Sequence, residues 1–248
     1  MIKAQYQAKD CHVVIVGCNS GIGQTLIQAL VESGAKVYGI DIQDNCSPLV
    51  LSPDLYFKAN PMKIKELQQV RDKIKTYTPY INGLVNLSGA IKQFKSIANL
   101  DIEDWNETYD ISFQSCFNSC KIFGALLQSN KTASIVNMSS GLAFIGQKNY
   151  GPYSASKASI ISFSKTLAVE LAPEIRVNTV APGAVNTNFI YKEDGSTRFD
   201  KELYTKMVPL GTIAKPEEIS AVILFLLSDG ASHMTGQCLH ANGGAGMH

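Results

Sequence analysis

Short runs of β-branched and aliphatic residues alternate along the chain with longer stretches whose apolar positions recur every three or four residues. The short runs are HVVIVG at 12–17, AKVYGID at 35–41, LYFK at 55–58, GLVN at 83–86, SIVNM at 134–138, RVNTV at 176–180 and QCLH at 237–240. They carry little polar alternation, which predicts strands buried on both faces. The helical stretches fall near 22–33, 62–76, 104–128, 153–171 and 216–227, with a short one near 200–207. Strand and helix in turn predict an α/β fold, a parallel sheet covered by helices on both faces. No repeat, linker or low-complexity tract breaks the order, so the expectation is a single domain over 1–248. The polar segment 186–207 alone interrupts the rhythm, and insertions of this length are lids or binding loops about as often as solvated connections.

Composition narrows the function by exclusion. Of 248 residues, 45% are hydrophobic, and 22 basic against 21 acidic residues leave a net charge of +1. Nothing in that balance favours nucleic acid or an anionic membrane as a partner. Cysteines 11, 18, 46, 116, 120 and 238 form no CxxC pair, and histidines 12, 233, 240 and 248 are dispersed, so no metal is expected. The N-terminal stretch lacks an apolar signal core and no run is long enough to span a bilayer. A reducing cytoplasm is the simplest location to expect.

The first strand runs into Val16-Gly17-Cys18-Asn19-Ser20-Gly21-Ile22-Gly23, with a helix after it. Glycines permit a tight turn and close backbone approach to a pyrophosphate, and the helix N-terminus supplies N–H groups and a favourable dipole. The spacing is GxxxGxG, a variant of the dinucleotide fingerprint, and the strand before and helix after give it weight. Asp41 ends the second strand about 20 residues on, where a carboxylate can accept hydrogen bonds from an adenosine ribose. The same carboxylate repels a 2′-phosphate, and Cys18-Asn19-Ser20 holds no cation, which favours NAD over NADP.

Ser140, Tyr153 and Lys157 stand at offsets of 13 and 4 residues in MSSGLAFIGQKNYGPYSASK. Pro152 suits the first turn of a helix, and positions i and i+4 share a face, so the Tyr153 phenol and the Lys157 stem lie side by side. A phenol titrates near ~10, and shifting it three units takes roughly 4 kcal/mol. A cation about 4 Å away at an effective dielectric of ~20 supplies about that much. The expectation is a tyrosine acid/base active near neutral pH.

Together these features resemble the short-chain dehydrogenase/reductase family over nearly the whole chain. The resemblance rests on Gly17/Gly21/Gly23, Asn86-Leu87-Ser88-Gly89, Ser140, Tyr153 with Lys157, and Asn178 through Pro182-Gly183 to Thr187, all in family order. It implies a doubly wound Rossmann sheet and a homotetramer or homodimer built on helices 104–128 and 153–171. It implies that Tyr153 exchanges the proton of the substrate oxygen, that Lys157 lowers the phenol pKa and holds the nicotinamide ribose, and that Ser140 polarises the carbonyl. Gly17, Asn19, Ser20, Gly21, Ile22, Gly23, Asp41, Asn60, Asn86, Ser88 and Gly89 would serve the adenosine and phosphate end. Pro182, Gly183, Val185 and Thr187 would line the nicotinamide.

The chain departs from the family at Val16, where threonine is frequent, and at Leu87 within its NNAG motif. Asn60 stands where an acid often binds adenine. Ser112 occupies the position of the fourth catalytic residue, an asparagine that holds a relay water. Serine still binds water, and Ser112→Asn is expected to keep turnover.

These readings point to an NAD(H)-dependent oxidoreductase that interconverts a secondary alcohol and a ketone, acting on a polyol, sugar or small ketone. One alternative is an NADPH-linked reductase of 3-oxoacyl groups on acyl carrier protein, disfavoured by Asp41 and by the single cation in Gln128-Ser129-Asn130-Lys131. Arg176 beside a strand is read as structural. Another alternative is a nucleotide-binding scaffold or sensor, which intact Tyr153 and Lys157 oppose. Leu142, Ala143, Phe144, Gln147 and Tyr150 are expected to wall the substrate pocket. Phe189, Tyr191 and Phe199 either cover it or, slightly preferred, pin the lid. Lys192 and Arg198 can meet an acidic substrate, although charges on a loop are more often solvated.

Overall fold

The computed structural model describes residues 5–44, 51–129, 132–191 and 195–247. Seven parallel strands form one sheet: β1 (His12–Val16), β2 (Lys36–Asp41), β3 (Tyr56–Lys58), β4 (Gly83–Asn86), β5 (Ala133–Met138), β6 (Ile175–Pro182) and β7 (Cys238–Ala241), in the order β3-β2-β1-β4-β5-β6-β7. The helices between them are α1 (Gly21–Glu32), α2 (Ile64–Lys75), α3 (Ile102–Tyr109), α4 (Ser115–Gln128), α5 (Gly151–Leu171), α6 (Lys201–Met207) and α7 (Pro216–Leu227).

Successive strand side chains point to opposite faces, and here both faces meet helices. Val14 and Val16 of β1 join a core with Leu67 and Val70 of α2, Phe123 and Leu126 of α4 and Ile160 of α5. Val13 and Ile15, one residue out of phase, join the opposite core with Leu26 and Ile27 of α1 and Ile219 and Ile223 of α7. This two-sided burial explains why the strands read as unbroken apolar runs.

Local chemistry sets several element ends. The Ser20 hydroxyl accepts the Gly23 N–H at 3.0 Å and caps α1. Pro152 sits in the first turn of α5, as its fixed φ favours. Pro216 opens α7, where the Glu218 carboxylate accepts the Lys215 N–H at 2.7 Å. Arg176 donates to the carbonyls of Leu226 at 2.8 Å and Ser228 at 3.0 Å, which satisfies the C-terminal end of α7, so its role is structural as expected.

One element differs from the expectation. The stretch 104–128 is not a continuous α-helix, because a π-helical turn at Asp110–Gln114 separates α3 from α4. The wider turn inserts one residue per hydrogen-bonded ring and carries Ser112 inward, fully buried.

Candidate functional site

Where the strand order reverses, between β1 and β4, the strands leave a crevice at their C-terminal ends. A cleft of about 1130 Å³ occupies it. Gly17, Asn19, Ser20, Gly21, Ile22 and Asp41 line one end, and Ser140, Tyr153 and Lys157 line the same cleft further along.

At the first end the backbone is packed too closely for side chains. Gly17 has φ +82°, and a Cβ there would lie 2.9 Å from the Ser88 nitrogen. A Cβ on Gly23 would lie 2.5 Å from the Cys18 carbonyl oxygen, and one on Gly21 would lie 2.7 Å from Thr187 Cγ2. Glycine turn and 182–187 loop therefore face each other across the cleft. Asp41 accepts the Asn19 N–H at 2.9 Å and the Ile42 N–H at 2.8 Å, which fixes its carboxylate beside the glycine turn. The Asn19 amide donates to the Tyr56 hydroxyl at 3.1 Å. Asn60, Ser88, Gly89, Pro182, Gly183, Val185 and Thr187 also line the cleft. A cradle closed to any Cβ, a helix N-terminus and a ribose-height carboxylate fit a dinucleotide.

Two expected contacts lie beneath the cleft rather than on it. Gly23 packs under Cys18, and buried Asn86 donates to Asn137 Oδ1 at 2.8 Å, joining β4 to β5. Their part is to support the floor.

At the second end Ser140 follows β5 and accepts the Leu142 N–H at 3.2 Å. Tyr153 and Lys157 occupy successive turns of α5, and both are buried. The Ser139 hydroxyl donates to the Lys157 carbonyl at 2.8 Å and locks that helix to β5. The Lys157 ammonium donates to the carbonyls of Met138 at 2.9 Å and Ser88 at 3.3 Å, and stands 5.6 Å from the centre of the Tyr153 ring.

This geometry corrects the expected electrostatics. Burial pushes the Tyr153 phenol up to about 12, with Tyr150 adding to the rise and the hydrogen bond to Ser140 opposing it. Burial also pushes Lys157 down to about 8. Desolvation is the largest cause of both shifts, and the ammonium is turned onto two carbonyls. Tyr153 therefore carries its proton at neutral pH.

Ser112 does not line the cleft, although Ile111 and Ser115 beside it do. Its hydroxyl is buried with no hydrogen-bond partner among the described residues. A Cβ on Gly89 would lie 3.0 Å from Lys157 Nζ and 3.6 Å from Ser112 Oγ, so lysine and serine flank the same glycine.

Leu142, Gln147 and Tyr150 line the cleft, whereas Ala143 and Phe144 do not. Phe144 instead turns onto the His240 ring, with centroids 4.4 Å apart. The 186–207 segment is tied at its start by a parallel bridge between Val185 and Ala214. Within it, Tyr191 pins the segment to itself, bridging Thr197 and accepting the Lys201 ammonium at 2.7 Å. Phe189 and Phe199 line the cleft, and the Phe189 ring lies 5.8 Å from that of Tyr153. Arg198 also lines it, held over the Phe94 ring at 4.9 Å, so it is no solvated loop charge. Lys192, Asn130 and Lys131 fall outside the described residues.

Sequence reasoning missed Phe94 and Tyr204. The Tyr204 hydroxyl accepts the Ala184 N–H at 2.8 Å, next to Gly183. It also missed Asn242, Ala245 and Gly246, which line the cleft from beyond β7. The adjacent Gly243-Gly244 pair, both at positive φ, was the available signal. Among the described residues no cluster of three or more His, Cys, Asp or Glu could hold a metal, and no helix is long and apolar enough to cross a membrane.

Comparison with known proteins agrees with this geometry. A family model described as Enoyl-(Acyl carrier protein) reductase matches residues 16–246. The chain is 34% identical over 246 residues to the 3-oxoacyl-[acyl-carrier-protein] reductase FabG of Thermotoga maritima, covering 96% of this chain and 98% of that one. It is 30% identical over 244 residues to the NAD-dependent glycerol dehydrogenase of Listeria innocua, covering 96% and 95%. Among solved structures, the short-chain dehydrogenase/reductase glucose/ribitol dehydrogenase of Brucella melitensis superposes with TM-score 0.91 at 29% identity, over 99% of this chain and all of that one. The ligand-free aldohexose dehydrogenase of Thermoplasma acidophilum superposes with TM-score 0.88 at 27% identity, over 96% and 94%.

Proposed function

The chain belongs to the short-chain dehydrogenase/reductase family of NAD(P)-linked oxidoreductases acting on CH–OH groups, and from that premise we propose that it is NAD(H)-dependent and interconverts a secondary alcohol and a ketone. The observation that carries the reading is that Ser140, Tyr153 and Lys157 line one cleft with the glycine turn and Asp41. A bound nicotinamide supplies or accepts the hydride. Tyr153 gives its proton to the carbonyl oxygen in reduction and receives it back in oxidation. Ser140 hydrogen-bonds the same oxygen and offsets the charge that develops there. Lys157 would hold the nicotinamide ribose, while Gly17 to Ile22 and Asp41 would hold the other nucleotide. Ser112, which flanks Gly89 together with the lysine, would serve its proton exchange.

The choice of NAD rests on Asp41, whose carboxylate is fixed at the glycine turn while neighbouring Asn19 and Ser20 offer no positive charge. Self-association through α4 and α5 as a tetramer or dimer is part of the same proposal. The names of several relatives support a second reading, reduction of 3-oxoacyl groups on a carrier protein with NADPH.

Titration with NADH and NADPH, followed by nicotinamide fluorescence, separates the two. NADH is expected to bind at least about tenfold more tightly, as like-charge repulsion of a phosphate would produce. Tighter NADPH binding would move the assignment to the second reading. Tyr153→Phe should retain NADH binding and lower turnover by about 10²–10⁴-fold, and undiminished turnover would remove the tyrosine from the chemistry.

A further inference from the structure

Among the described residues three cations line the cleft, namely Lys92, Lys157 and Arg198. Lys92 pairs with Glu107 at 2.9 Å, and Lys157 is bound to two carbonyls. Arg198 has no carboxylate within ion-pair distance among the described residues, although Asp200 lines the same cleft. That acid accepts the Leu203 N–H at 3.0 Å and caps α6.

Arg198 is nevertheless held in place. Its guanidinium lies 4.9 Å from the Phe94 ring centre and 5.7 Å from that of Phe189. Its Nε donates to the Tyr191 carbonyl at 3.1 Å, a bond that does not use the two terminal nitrogens. Phe94 in turn meets Tyr150 edge-on at 5.1 Å, and Phe189 meets Tyr153 at 5.8 Å. One of these rings, Phe189, thus stands between the guanidinium and the proton-carrying phenol of Tyr153. Its charge also reaches the Tyr150 hydroxyl, holding back the rise that burial imposes there.

We propose that Arg198 recognises a carboxylate on the substrate, so that the enzyme acts on an oxo acid or hydroxy acid rather than a neutral polyol. The assignment rests on the alcohol/ketone chemistry at Tyr153 and names the substrate class for it. An arginine kept half-buried with no acid paired to it among the described residues must recover the lost hydration, and the two aromatic faces do part of that. They also fix the planar fork, and a fixed fork matches a carboxylate with two parallel hydrogen bonds. A loop arginine serving solubility alone would extend into water. The Phe189 ring lies 5.7 Å from the guanidinium and 5.8 Å from the Tyr153 ring, so both groups serve the same stretch of cleft.

The test compares straight-chain oxo acids, with the ketone one to four carbons from the carboxylate, against their methyl esters. At least one acid should exceed its ester by about tenfold or more in kcat/KM, the loss expected when a charge-assisted pair is missing. Arg198→Gln should bring that ratio toward one through KM, and Arg198→Lys should restore it only in part, since it keeps the charge but not the fork. Esters that match acids along the whole series, or an Arg198→Gln variant that weakens both alike, would overturn the proposal. Calorimetric titration of butyrate and butyramide gives an independent reading, with butyrate expected to bind the wild type more tightly and to lose that margin in Arg198→Gln. Equal binding of the two by the wild type counts against the arginine alone. Failure of the underlying chemistry shows elsewhere, as undiminished turnover in Tyr153→Phe, a variant whose carboxylate binding should persist.

Discussion

A buried ammonium with no carboxylate paired to it among the described residues is the residue on which this site turns. Lys157 is pushed to about 8 by burial, from an ordinary value near 10.5. Its folded pKa lies below its unfolded one, so between pH 8 and 10.5 the unfolded chain binds more protons and stability rises with pH. At neutral pH and below, the charged lysine therefore opposes folding. Against a Lys157→Met variant, wild-type protein should gain about 3 kcal/mol of relative stability across that window, by the usual 1.36 kcal/mol per unit. Denaturant melts at pH 7 and pH 10 would measure it, and an unchanged difference between the two proteins would contradict the burial. The pairing of Tyr153 with Lys157 was legible in the sequence because helical spacing fixes which side chains share a face. The direction of the phenol's shift was not, because spacing does not say that the ammonium bonds Met138 and Ser88 instead.

Among elements, the strands were readable because burial on both faces leaves them largely apolar with no regular polar alternation, and the seven expected runs meet β1 to β7 within a residue or two. The π turn at Asp110–Gln114 was hidden because Asp-Ile-Ser-Phe-Gln contains neither glycine nor proline to mark a break. The glycine turn was visible for a steric reason that can be tested. Gly23→Ala would place its methyl 2.5 Å from a backbone oxygen, so neither neighbour can yield cheaply. It should cost about 1–3 kcal/mol of stability and weaken NADH binding in the fluorescence titration. Gly124 in α4 has open space around its would-be Cβ. There alanine should instead stabilise by about 0.5–1 kcal/mol, since it removes backbone freedom from a helix interior. Matching melts for the two variants would refute the contrast.

Across the whole molecule, the cleft is assembled from segments far apart in the chain, which is why its substrate side was only partly foreseen. Phe94 meets Arg198, and Tyr204 meets Ala184, through tertiary packing that no local pattern encodes. Tyr204 links α6 to the loop after β6, and a Cβ on Gly183 would lie 2.5 Å from its hydroxyl. Tyr204→Phe should cost about 1–2 kcal/mol, the value of a lost hydrogen bond with a stranded N–H. Thermal melting should fall by about 2–4 °C per kcal/mol, with faster proteolysis within 195–207. A melt and a digestion pattern like the wild type would show that the lid is held by other contacts.

The segment over the cleft is tied down on both sides. Asn186 donates to the Ala214 carbonyl at 2.8 Å, and Leu210 donates to that of Gly243 at 3.1 Å. Lifting either end of that segment breaks a backbone hydrogen bond, a cost that a loop without such anchors would not carry.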